Sequence, residues 1–135
     1  MITLATLAQA TEQEVFDQVA THLLTQGQKC QDFDDDMNPI CVYRNSDGQS
    51  CAAGCLIGFG EYRGEVFEGK SWRVLVEDNL ASKNHTELIA RLQSIHDNIS
   101  VRTWYKCLKD VAIEYKLNTI ALDKVAKENN FLNEP

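Results

Sequence analysis

The sequence predicts an α+β fold that is mainly α, with three principal helices, one short strand and turn element, and a single domain over residues 1–135. Three observations predict it. Apolar residues recur at helical spacing in three separate stretches, each preceded by a capping residue. Only Ile40 to Arg44 has the β-branched and aromatic composition of a strand, and the Asn45-Ser46-Asp47-Gly48 that follows suits a tight turn, because Asn, Asp and Gly tolerate positive φ. At 135 residues, 44% of them hydrophobic, the chain has a common single-domain size and enough apolar surface for one continuous core.

Each element follows in order. Thr11 with Glu14 three residues later matches a capping box, and Phe16, Val19, Ala20, Leu23 and Leu24 then mark one helical face up to Gln26-Gly27. Residues 28–39 are polar and acidic, end in Pro39 and lack any period, which predicts an exposed acidic loop. Ser50 to Ile57 has two readings. As a return strand it would place Cys51 and Cys55 on one face but ~13 Å apart at ~3.3 Å per residue. As a short helix capped by Ser50 and ended by Gly58 it would bring them to about 5–6 Å at Cβ. Alanine favours the helix, and Gly54 inside it implies that another backbone packs closely there.

Four glycines punctuate Gly58 to Gly69, a stretch read as a loop, after which Ser71 caps a short helix carrying Trp72, Leu75 and Val76. Asn84, with Glu87 at the third helical position, is expected to open a second principal helix with Leu88, Ile89, Leu92 and Ile95 inward. Ser100 is expected to start the third, where Trp104, Cys107, Leu108, Val111, Ala112 and Tyr115 form a wide apolar stripe. Residues 118–135 read as a weaker C-terminal helix and tail.

The net charge of −7 is uneven. Residues 1–36 hold seven acids against Lys29 alone, whereas the remainder is nearly balanced, and Arg102, Lys106 and Lys109 form a short basic stripe at helical spacing. So acidic a chain disfavours nucleic-acid binding, which needs clustered Lys and Arg, while leaving an acidic surface for a basic partner. No apolar run approaches the ~20 residues of a membrane helix, and the first sixteen residues lack the pattern of a signal peptide. The expected location is cytoplasmic. Five cysteines in that setting read as buried small hydrophobes, metal ligands or reactive thiols rather than a disulfide framework.

Chemistry-bearing motifs are incomplete. Structural zinc sites draw on close cysteine pairs, and only Cys51 and Cys55 qualify, so a zinc site would need Cys41 or His96 as well. Cys107 lies on the apolar stripe and is read as core. A thiol enzyme needs a base held by a third group, and in His96-Asp97 adjacent helical residues point in different directions, so Asp97 is assigned to the turn and not to orienting His96. At the edge of its helix's apolar face, His96 reads as a hydrogen-bonded structural histidine. Asp32, Asp34, Asp36 and Asn38 alternate like a calcium loop, but Met37 stands where the turn needs Gly and Tyr43 where a bidentate Glu belongs. Gly58, Gly60, Tyr62 and Arg63 lie in a glycine-rich loop that could cradle an anion, though no helix opens there to present its amides.

The order of these features resembles a family of small uncharacterised phage and bacterial proteins. The resemblance rests on the YR…DG turn, the CAAGCLI block (CAxGxLI in the family), and LQSIHD with its HD turn before a final helix bearing Trp104 and Ala112. It spans residues 12–117. It implies a compact helical domain with CAAGCLI helical and an origin among phage or accessory genes; the family has no assigned activity, so no residue role is carried over.

These readings favour a small, acidic, non-enzymatic cytoplasmic protein with no catalytic set and no required cofactor. It would bind another protein through Asp32, Asp34, Asp35 and Asp36, as an inhibitor of a host or defence factor in the setting the resemblance implies. Two alternatives stand beside it. One is a small-ligand or nucleotide-like anion binder using Gly58, Gly60, Tyr62 and Arg63; the other is a zinc or thiol site at Cys41, Cys51, Cys55 and His96.

Overall fold

The first principal helix, α1 (Glu12–Gln26), begins where the capping box predicts. Thr11 Oγ1 accepts from the Glu14 amide at 3.1 Å, and Glu14 Oε1 accepts from the Thr11 amide at 2.9 Å. Gly27 ends it in the left-handed region at φ 65°, donating to the Leu23 carbonyl. This computed structural model describes residues 1–132; the last three residues of the expected tail lie outside the described residues.

Beyond α1 the chain makes an antiparallel hairpin where an unstructured loop was expected. β1 (Gln31–Phe33) pairs with β2 (Pro39–Cys41) in the register Gln31 with Cys41, Asp32 with Ile40 and Phe33 with Pro39. Strands of three residues are too short to show a period, so the pairing is invisible until the partner is in place. The Asn45–Gly48 turn forms as predicted, with Gly48 at φ 80° and a single bridge joining Arg44 to Ser50.

The CAAGCLI block is helical, but as a short 3-10 turn over Ala53–Leu56. Ser50 does not cap it. Its amide donates to Gln26 Oε1 and its carbonyl accepts from Gln26 Nε2, so α1 has claimed the residue. Gly54 meets the predicted neighbouring backbone: a Cβ there would lie 2.4 Å from the Tyr43 carbonyl oxygen.

Two short helices follow, α2 (Gly64–Phe67) and α3 (Trp72–Glu77), the latter capped as expected by Ser71 Oγ. The second principal helix, α4 (Thr86–Asn98), is not capped by Asn84. His85 takes the cap position at φ 65°, held by its Nε2 against the Ala10 carbonyl at 2.7 Å, while Asn84 Oδ1 accepts from Ser82 Oγ. A 3-10 turn (Val101–Thr103) leads into α5 (Trp104–Glu114), which buries Trp104, Leu108, Val111 and Ala112. Cys107 is half-buried at the margin of that face rather than in the core.

The final helix, α6 (Ile120–Glu128), is a full partner in the core. It buries Leu122, Val125 and Ala126 and packs chiefly against α1. Gln13 of α1 clamps the turn before it, donating to the Asn118 carbonyl and accepting from the Asn118 amide. The core is one contiguous cluster drawn from α1, the 53–56 turn, α3, α4, α5 and α6. Among the described residues no helix is long and apolar enough to cross a membrane.

Candidate functional site

The hairpin carries the acidic residues outward together with apolar side chains that the sequence pattern alone does not single out. Phe33 is 65% exposed, Met37 73% and Ile40 44%, and they alternate with Asp32, Asp34, Asp35 and Asp36 over nine residues. Its tip is locked from within. Asp34 Oδ1 accepts from the amides of Asp36 and Asn38, each at 2.9 Å, and the Asp34 amide donates to the Asn38 carbonyl. Met37 sits at φ 66° in a turn that glycine would ordinarily fill, with its amide bonded to the Asp34 carbonyl. The register puts Phe33 on the face of Pro39 and Ile40 on the face of Asp32, so the two stand on opposite sides of the hairpin, with Met37 at the tip between the strands. The signal available in the sequence was the string DFDDDMNPI itself, in which large apolar residues interrupt a polar run.

The glycine loop already holds an anion, one belonging to the chain. Glu61 Oε1 accepts from the amides of Gly58 at 2.6 Å and Leu4 at 2.8 Å, and Glu61 Oε2 from Ala5 at 3.0 Å. Burial alone would raise the Glu61 pKa, but these amides and the nearby Arg44 outweigh it and hold the carboxyl below its usual value. Arg63 is exposed. Tyr62 donates to Glu68 Oε2 at 2.6 Å and lies under the Arg44 guanidinium. Thus Gly58, Gly60, Tyr62 and Arg63 do not converge on an open cradle, and the Gly58 amide is taken.

The cysteine set is recomposed. The ligand atoms of Cys41, His96 and Asp97 lie within 4.8 Å of one another, and Cys51 and Cys55 are not part of that group. Asp97 does orient the neighbouring imidazole, contrary to expectation: His96 Nδ1 meets Asp97 Oδ1 at 2.7 Å. Near the end of α4 the short Asp side chain folds back beside the ring, helped by Gln93 Nε2, which donates to the same oxygen at 2.7 Å. The buried Cys30 amide donates to His96 Nε2 at 2.8 Å, so that nitrogen is an acceptor and the ring hydrogen sits on Nδ1. A metal bound through Nδ1 would force a hydrogen onto Nε2, directly against the Cys30 N–H. A general base would need a free lone pair, and the one on Nε2 is spent on a backbone amide. The donor set therefore does not fit zinc, and His96 is the structural histidine its position suggested.

The thiols are correspondingly quiet. Burial pushes Cys30 and Cys55 up to about 12 and Cys51 well above its ordinary value. Burial and the nearby Asp97 carboxylate raise Cys41. The Cys30 and Cys55 sulfurs also donate to the carbonyls of Gln49 and Ala52. Reactive cysteines need the opposite shift.

Asp97 also borders a cleft of about 530 Å³ between the end of β2, residues 68–73 and one stripe of α4. Its lining includes Tyr43, Trp72, Gln93 and Ser94, none of which the sequence marked as functional. On α4, Ala90, Gln93, Ser94, Asp97 and Asn98 face it at helical spacing. That polar side of a helix reads as ordinary solvated surface until α3 is seen to wall it in.

No protein-family model, curated protein or solved structure matches this chain. What the protein does has to be read from its own geometry.

Proposed function

We propose that this is a non-enzymatic binding protein whose hairpin, residues 31–41, engages a basic segment of another protein. The observation that carries the reading is the exposure of Phe33, Met37 and Ile40 among Asp32, Asp34, Asp35 and Asp36 on a turn braced by Asp34. Phe33 and Met37 can supply affinity where a partner pocket covers them, and the neighbouring carboxylates select a Lys- or Arg-rich rim and speed encounter. Because the tip is held by its own hydrogen bonds, little ordering entropy remains to be lost on binding. The charge imbalance of the chain, concentrated in residues 1–36, favours the same partner chemistry. Inhibition of a host or defence factor is the biological form this binding takes in the setting that the resemblance implies.

A displayed peptide library panned on the folded protein tests this. Selected peptides are expected to combine clustered Lys or Arg with an aromatic or aliphatic anchor, and to weaken as salt is raised, since exposed charges are screened beyond ~10 Å at 0.1 M. Two variants, Asp35→Asn/Asp36→Asn and Phe33→Ser/Met37→Ser, should each lose that binding while remaining folded. Peptides that bind both variants as well as the parent would overturn the reading.

A further inference from the structure

Positive charge gathers on the side of α5 and α6 that faces away from the core. Residues 102–128 carry six bases against four acids, whereas the hairpin of residues 31–41 carries Asp32, Asp34, Asp35 and Asp36 and no base. α5 turns Trp104, Leu108, Val111 and Ala112 inward, which sends Lys106 and Ile113 to the opposite side. α6 turns Leu122, Val125 and Ala126 inward, and Ile120, Lys124 and Lys127 recur at helical spacing on its outer side. All of these outward residues are exposed.

The two outer sides are held next to each other. Asp123 joins the helices, accepting from the Tyr105 hydroxyl at 2.7 Å and pairing with Lys109 at 3.3 Å. Ile113 stands in the last turn of α5 and Ile120 is the first residue of α6, 75% and 77% exposed, so two large aliphatic groups flank the connecting turn. Lys106, Lys124 and Lys127 form no ion pair among the described residues. Unpaired cations beside exposed aliphatics are the counterpart of the hairpin, where Phe33 and Met37 stand exposed beside Asp35 and Asp36. Opposite charge steers such surfaces together, and the apolar groups covered in the contact hold them.

We propose that the outer face of α5 and α6 docks the hairpin of a second copy of this chain. The inference rests on reading the hairpin as a binding surface, and it names a partner for it. Because the two surfaces differ, the contact is head-to-tail, so a copy whose hairpin is engaged still offers its own α5 and α6 face. Concentration and salt then set how many hairpins stay open to a foreign partner.

The test is sedimentation of the full chain across protein concentration at low and high salt. The surfaces are small, so the average mass should rise as protein approaches ~0.1–1 mM at low salt, and the rise should vanish in ~0.5 M salt, where exposed charges are screened. Asp35→Lys/Asp36→Lys and Lys124→Glu/Lys127→Glu should each weaken association about tenfold or more, and the chain carrying all four changes should regain it. Ile113→Ser/Ile120→Ser should weaken it by a similar factor at unchanged charge, whereas Lys83→Glu, between α3 and α4, should leave it unaltered. Every substituted side chain is exposed, and circular dichroism checks that each variant keeps the fold. The proposal is overturned if the parent stays monomeric at ~1 mM in low salt. It is equally overturned if either double change on the α5 and α6 face leaves association intact, if the four changes together do not restore it, or if Lys83→Glu weakens it as much. The hairpin reading fails separately, on peptides that bind the hairpin variants as well as the parent.

Discussion

The hairpin of residues 31–41 and the Cys51–Ile57 segment are neighbours in the chain and use their side chains in opposite ways. The cysteine segment is rich in reactive residue types, yet Cys51, Ala52, Ala53, Leu56 and Ile57 are all buried, and its sulfurs are taken up by local backbone groups. Its working feature is Gly54, where the Tyr43 backbone comes too close for any side chain. The hairpin has the composition of solvated filler, yet it holds three large apolar groups in water on a braced turn. Residue types that can do chemistry are informative only once their exposure is known. A buried thiol is a small hydrophobe with a raised pKa, while an exposed phenylalanine among carboxylates stays open to contact.

The sharpest way to break this contrast is at Gly54. Gly54→Ala should destabilise the fold by about 2–4 kcal/mol in urea unfolding, because the clash is with backbone that cannot swing aside. Gly60→Ala, where a Cβ meets nothing within 4 Å, should change stability by less than ~0.5 kcal/mol. Equal effects at the two glycines would mean that residues 51–57 are not the packed element described.

A smaller effect is expected where the glycine loop supplies its own anion. Glu61→Gln should cost about 1–2 kcal/mol near neutral pH, since charge-assisted bonds to the Gly58, Leu4 and Ala5 amides become neutral or are lost. The carboxyl pKa is lowered in the folded state, so its stabilisation is present above the unfolded value and disappears as pH falls through the folded one. The gap between parent and variant should therefore close as pH drops below the ordinary glutamate value of 4.5. A gap that stayed constant to low pH would show that the loop is held by something other than this charge.

The smallest effect belongs to the hairpin. Phe33→Ser, Met37→Ser and Ile40→Ser should each alter folding stability by less than ~0.5 kcal/mol, because these side chains already lie in solvent. A loss of several kcal/mol from any of them would place the residue in the core and remove the basis for treating the hairpin as a binding surface.

Much of the helical framework was legible in the sequence because its causes are local. The Thr11–Glu14 capping box, the Gly27 stop, the Ser71 cap and the inward face of Leu88, Ile89, Leu92 and Ile95 all stand within a few residues of what they specify. The Asn84 cap failed because Ala10, distant in sequence, holds His85 in the cap position. The acidic loop became a hairpin because three-residue strands carry no period. The C-terminal helix promised little because its clamp, Gln13, lies at the other end of the chain. The candidate site was the least legible part. Asp32, Asp34, Asp35 and Asp36 were marked, but Phe33, Met37 and Ile40 were not; His96 was read correctly as structural, but Asp97 was separated from it.

By itself the sequence determined the mainly helical class, the acid-rich front of the chain, the Thr11 and Ser71 caps and the need for a close backbone neighbour at Gly54. Those features depend on periodicity, local hydrogen bonding and charge, which a linear string contains. Only the tertiary structure decided which groups are available: that the Cys30, Cys51 and Cys55 sulfurs are taken up by backbone groups, that Nε2 of His96 is spent on the Cys30 amide, that Glu61 fills the glycine loop, and that Asp97 and Trp72 border one cleft. Availability is a property of what packs against a group, and that depends on which distant residues the fold brings within hydrogen-bonding reach.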